Sequence, residues 1–230
     1  MTLPRPLAAL LPAAPLAVIT LALLAGCASR PPAPDWALNA HDAAARATEA
    51  YLSGDSRVAD LEWSRARAEV ARTGRPDLLA RVELLRCAAQ RAALDLQPCT
   101  AFDALRPDAQ PPERAYADYL AGHLAPADAP LLPPAQRQAA QAAQAGTIAA
   151  IEDPLSRLVA ASVAAQAGRS DDALLAAAAD AASARGWRRP LLAWLGLRAR
   201  LAAERGDAAA AAALQRRIAL VQARGAPQKP

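Results

Sequence analysis

The chain has 230 residues, 54% of them hydrophobic and 3% aromatic, with a formal net charge of +4, which bounds it to one globular domain or two small ones. Roughly three residues in ten are Ala, and β-branched and aromatic residues are scarce. That composition favours close-packed helices and argues against a Rossmann, barrel or sandwich sheet. Lys occurs only at Lys229, which excludes a G-x-x-x-x-G-K-[ST] phosphate loop, an internal Ser-x-x-Lys dyad and a Schiff-base Lys.

The first 26 residues read as an export leader. Arg5 is the only charge before an apolar run from Leu7 to Leu24, and small residues follow at Ala25 and Gly26, in the order of a signal peptide's three regions. Pro12 and Pro15 and the lack of a stop-transfer charge cluster argue against a membrane span. Leu24-Ala25-Gly26-Cys27 resembles the lipobox of bacterial lipoproteins. The resemblance implies that Cys27 becomes the mature N-terminus, carries diacylglycerol on sulfur and an acyl chain on nitrogen, and so anchors the protein to membrane lipid; two or more chains hold permanently where one does not. Ala28 at the next position implies the outer membrane, facing the periplasm. The alternative is an ordinary cleaved signal with a coincidental Cys. Pro31, Pro32 and Pro34 make residues 27–34 an extended tether.

Folding is expected from Asp35, in helices punctuated by Gly, Pro and Asp. Asp35 caps a helix to Ser53, stopped by Gly54; Asp55 or Ser56 caps a second to Thr73, stopped by Gly74. A third follows Pro76, with Leu78, Val82, Leu85, Ala89 and Ala92 on one face. These make an N-terminal block of hairpins, 35–106. Residues 107–134 are interrupted by seven prolines and read as a connector with one short helix, Glu113–Leu124, presenting Tyr116, Tyr119 and Leu120 on one side. A C-terminal block, 135–224, resumes with helices near 135–150, 154–167, 170–185, 190–205 and 207–224. Their apolar stripes are Leu155/Leu158/Val159/Val163, Trp194/Leu197/Leu201 and Leu214/Ile218/Val221. Residues 225–230 are expected to be a disordered tail.

Export implies an oxidising compartment. With Cys27 lipidated, Cys87 and Cys99 remain as an even pair, which favours a structural disulfide over two buried thiols, and both over a metal or redox pair, since a twelve-residue spacing is no C-x-x-C.

Three helix pairs turn at Gly54-Asp55, Gly168-Arg169 and Gly206-Asp207. Seven residues before each turn Gly stands Ala47, Ala161 or Ala199; five after it stands Ala59, Ala173 or Ala211; Trp63 and Ala66 follow in the first pair. This pattern resembles the tetratricopeptide repeat, in which small residues at those positions let paired helices approach. The resemblance implies an all-α stack of antiparallel hairpins, a TPR-like α-solenoid. The alternative is an irregular helical bundle.

Candidate chemistry is sparse. His41 and His123 stand in no zinc-ligand spacing, and His123 suits the last turn of its helix. Gly168-Arg169-Ser170-Asp171-Asp172 reads as an N-cap with acids in the first turn, not as a nucleophile elbow. Glu62, Arg65, Glu69 and Arg72 read as an exposed salt-bridge ladder, not a glycosidase carboxylate pair. No enzyme activity, metal or cofactor is expected. Charge, in contrast, is uneven: residues 181–230 carry ten cations against Glu204 and Asp207, whereas residues 27–180 carry fifteen Arg against twenty acids. Trp187, Arg188, Arg189, Trp194, Arg216 and Arg217 are therefore the candidate surface for a partner or an anionic ligand. The expected function is a membrane-anchored periplasmic adaptor contacting an envelope protein, with anionic lipid or peptidoglycan as a further contact and no nucleic acid. The alternatives are a carrier or sensor of an anionic or lipidic small molecule and, behind it, a cell-wall hydrolase.

Overall fold

A computed structural model describes residues 32–142 and 144–223. The leader, Cys27 and the 225–230 tail lie outside the described residues. From Asp35 the described residues form one compact unit, all-helical, with no strand among them. Its helices are α1 (Asp35–Ser53), α2 (Ser56–Ala71), α3 (Pro76–Ala92), α4 (Thr100–Asp103), α5 (Pro111–Leu120), α6 (Pro134–Gln141), α7 (Ala145–Ala149), α8 (Pro154–Gln166), α9 (Asp172–Ala184), α10 (Arg188–Glu204) and α11 (Ala208–Ala223). Short 3-10 turns lie at Arg106–Asp108 and Pro126–Leu131.

The boundaries follow local chemistry. The carboxylate of Asp55 accepts from the Val58 amide at 3.0 Å, Asp153 from Ser156 at 2.7 Å, Asp171 from Leu174 at 2.7 Å and Asp207 from Ala210 at 2.9 Å, each satisfying an amide that the first helical turn leaves free. Proline opens α3, α5, α6 and α8, where its missing N–H is harmless. Glycine in the left-handed conformation closes most helices. Gly122 does so at φ 77°, so α5 stops at Leu120, earlier than expected, and His123 lies beyond the helix, its amide bonded to the Asp118 carbonyl. The expected 135–150 helix is two helices, α6 and α7, because Ala142 leaves the helical region at φ −136° and ψ 74°.

Helices pair as antiparallel hairpins, α1 with α2 most extensively, then α10 with α11, then α9 with α10. Ala47, Ala59, Trp63 and Ala66 are all buried between α1 and α2, where small side chains permit close approach. The second pair departs from the repeat pattern. Its turn runs through Arg169 and Ser170 to the cap at Asp171, two residues longer than the Gly54-Asp55 turn, so Ala173 is exposed and Leu175 takes the buried place.

The core is continuous. Every residue of α8 from Leu158 to Ala164 is buried, the mark of a helix surrounded on all sides, with α3, α5, α6, α7 and α9 as neighbours. Helix α3 is buried on two faces: Val82 and Leu85 meet the α1–α2 cluster, while Leu84, Cys87 and Ala88 join the main core. The single stripe expected for it was half of the pattern. The proline-rich 107–134 segment is no spacer between two blocks, since Ala109, Ala117, Tyr119, Leu120 and Leu132 are buried in the same core as α3 and α8. Finally, α10 also touches α1, so the all-α stack of packed hairpins is tied together across its length.

Cys87 and Cys99 are joined, their Cα atoms 5.8 Å apart. The segment they enclose is also held by Arg91, a buried guanidinium that forms no direct ion pair among the described residues. It donates to the carbonyls of Leu120 (3.0 Å), Asp95 (2.7 Å) and Gln97 (2.9 Å). Burial pulls its pKa down, and the nearby Asp95 pulls it back up.

Candidate functional site

Four of the six residues expected on a binding surface serve the fold. Trp187 and Trp194 are buried: an indole is large enough to fill the gap where hairpins meet, and its N–H then needs an internal acceptor. Trp194 Nε1 donates to the Ala92 carbonyl at 3.0 Å, tying α10 to the end of α3, and Trp187 Nε1 donates to Glu49 Oε2 at 2.9 Å, tying the α9–α10 turn to α1. Arg189 donates to the Tyr51 carbonyl at 2.6 Å and to Ser56 Oγ at 2.7 Å, with its guanidinium 4.3 Å over the Tyr51 ring. Burial pushes the Tyr51 phenol up and the Arg189 charge offsets this in part. Arg188 is half-buried on the same seam, near Gly54. Part of the C-terminal positive charge is thus an internal clasp between α10 and the α1–α2 turn. Sequence gives one hint of this: Trp187 and Arg189 flank the start of an amphipathic helix, where docking residues concentrate.

Arg216 and Arg217 are different. Both are exposed on α11, a helix that packs chiefly on α10 and buries only Leu214. Leu220 on the same helix is 66% exposed. Arg198, Arg205 and Arg217 border a recess of about 250 Å³ between α10 and α11, where Arg205 pairs with Asp172 at 3.1 Å. This terminal hairpin keeps a cationic, alanine-rich outer face.

A second feature is a cleft built from residues that no sequence motif marks. Between α8, α10 and the turn after α3 lies a cleft of about 660 Å³ whose apolar walls include Leu94, Leu96, Leu192 and Leu197. Ser162 and Gln166, one turn apart on α8, line it too, and among the described residues neither Ser162 Oγ nor Gln166 Nε2 has a hydrogen-bond partner.

The remaining expectations resolve into structure. Ser170 precedes the cap, and Asp171 is the residue that accepts from the Leu174 amide. Glu62 is buried rather than exposed, held between Arg46 on α1 at 3.0 Å and Arg65, while Arg72 and Glu69 pair on the surface at 3.0 Å. His41 is exposed on α1. Among the described residues no three His, Cys, Asp or Glu side chains gather as metal ligands, and no helix is long and apolar enough to cross a membrane. No protein family, curated protein or solved structure matches this chain.

Proposed function

We propose that this protein is a lipid-anchored, non-enzymatic adaptor of the bacterial cell envelope, fixed to the outer membrane through Cys27 and presenting its C-terminal hairpin to an acidic envelope protein. The observation that carries the reading is α11: among the described residues it packs chiefly on α10, with Arg216, Arg217 and Leu220 exposed, in the part of the chain where cations outnumber acids by eight. A helix in that position offers the surface against which another helix packs, and its charge selects an acidic partner and speeds encounter.

The test is affinity capture of the tagged, lipidated protein from cross-linked cells, beside an Arg216→Glu/Arg217→Glu variant, with proteins and lipids both identified. A stoichiometric envelope protein lost in the charge-reversed variant is expected. Recovery of lipid or peptidoglycan alone, or of the same protein from both samples, contradicts the reading.

A further inference from the structure

We propose that the cleft between α8, α10 and the turn after α3 binds a single-chain anionic amphiphile, its chain between the leucines and its head group at Ser162, Gln166 and Arg200. The proposal goes beyond the adaptor reading and does not depend on it.

Three local choices that disfavour folding converge on this space. The first is Leu94. Six glycines, Gly54, Gly74, Gly122, Gly168, Gly186 and Gly206, adopt positive φ, and among the described residues Leu94, at φ 58°, is the one other residue that does so. Its turn is the usual helix-ending motif, with the Asp95 amide on the Gln90 carbonyl and the Leu94 amide on Arg91. A side chain at that position costs about 1–2 kcal/mol, which Gly avoids. The leucine lines the cleft.

The second is Gly196, in the middle of α10, where Gly is about 1 kcal/mol less favourable than Ala. No close approach requires it, because a Cβ built there meets nothing within 4 Å. The space it leaves open is the cleft. The third is Ser162, fully buried with an unpartnered hydroxyl, and beside it the unpartnered Gln166 amide; a buried polar group left unmade costs about 1–3 kcal/mol. Local rules favour a different residue at each position: Ala at 196, Ala at 162 and, for the backbone conformation though not for the packing of Leu94 on the core, Gly at 94. Departures of this kind cluster where structure serves something other than folding.

The lining names the ligand class. Four leucines and several alanines make the walls, the hydroxyl and amide supply donors, Arg200 stands at the rim, and no acidic residue lines the space. Arg200 is exposed, and its ion pair with Glu204 on the same helix is long, 3.9 Å, and open to solvent, a pairing that an anionic head group can exchange at little cost. An anionic head on an apolar chain satisfies all of these groups together, and the volume falls within the ~300–1,000 Å³ usual for small-molecule sites. The wall is held ready: the Cys87–Cys99 bridge, the three Arg91 bonds and the Trp194–Ala92 bond fix the turn that carries Leu94 and Leu96, which lowers the ordering cost of binding.

Membranes holding the full-length protein are equilibrated with a photoreactive, alkyne-tagged dodecanoic acid, irradiated, and the labelled peptides mapped. Label is expected on the peptides containing Leu94–Leu96 and 192–197, displaced by excess dodecanoate or dodecyl phosphate but not by dodecanol; whichever anion displaces better names the head group. Gly196→Leu, which fills the cleft from a position with free space, is expected to cut labelling at least tenfold with no fall in melting temperature. Ser162→Ala is expected to cut it severalfold, and it decides the matter if Gly196→Leu fails to fold. Label spread evenly over the surface, displacement by dodecanol as strong as by dodecanoate, or labelling unchanged in both variants overturns the proposal.

Discussion

Replacing Arg91 with Met removes three hydrogen bonds while roughly keeping the side chain's length. The Leu120 carbonyl belongs to a fully buried residue; without the guanidinium it has no water to turn to, a loss of about 1–3 kcal/mol. Asp95 is half-buried and Gln97 exposed, so their carbonyls can rehydrate and each bond forfeits only its net worth of about 0.5–1.5 kcal/mol. Relief from burying a cation returns part of the total. The balance is a destabilisation of about 3 kcal/mol, which for a unit of this size lowers the melting temperature by roughly 6–12 °C. Arg91→Lys keeps the charge but not the planar fork, and should fall between Met and the wild type. Thermal melts followed by circular dichroism measure both, and hydrogen exchange at residues 93–99 should quicken in Arg91→Met. A variant that melts at or above the wild type refutes the reasoning, because it would make the buried cation a net cost that its carbonyl partners do not offset.

Cys87→Ser with Cys99→Ser should destabilise the protein by about 3 kcal/mol on the chain-entropy account of a loop this short, and non-reducing mass spectrometry of the native protein should recover the two cysteines in one linked peptide pair. Asp171→Ala should cost about 1 kcal/mol through the lost cap of α9 while Ser170→Ala changes little; chemical denaturation distinguishes them, and equal effects would move the cap. Globomycin should cause the full-length precursor to accumulate, and Cys27→Ala should release the protein from membranes; unchanged processing and partitioning would remove the anchor.

The helical class and most helix starts are legible in the sequence because they depend on neighbours two or three residues away: Asp55 caps, Pro76 opens, and Gly54, Gly168 and Gly206 close, whereas at α9 the cap is Asp171, one residue after the expected Ser170. What escapes is decided across the chain. No Gly or Pro stands at Ala142, so the α6–α7 break has no local mark. Leu94 ends α3 without the glycine that announces every other such turn. The aromatic side chains of Trp187 and Trp194 read as binding residues because sequence does not reveal that α10 and the turn before it pack against α1 and the end of α3, where Glu49 and Ala92 are the acceptors. Arg91 falls on the buried face of α3 with Leu84, Cys87 and Ala88, a spacing visible in advance, yet its role depends on Leu120, twenty-nine residues away. The cleft has no motif at all, since its walls come from three elements and its signature is a set of residues that local rules would replace.

The most direct test of the adaptor account is site-specific photo-cross-linking in living cells from Leu220 on α11, with the probe at Leu38 on α1 as the comparison, both positions being more than half exposed. One envelope protein joined at Leu220 and absent at Leu38 is the result the account predicts. Equal cross-linking from both positions, or none from Leu220 while the protein is folded and anchored, would contradict it.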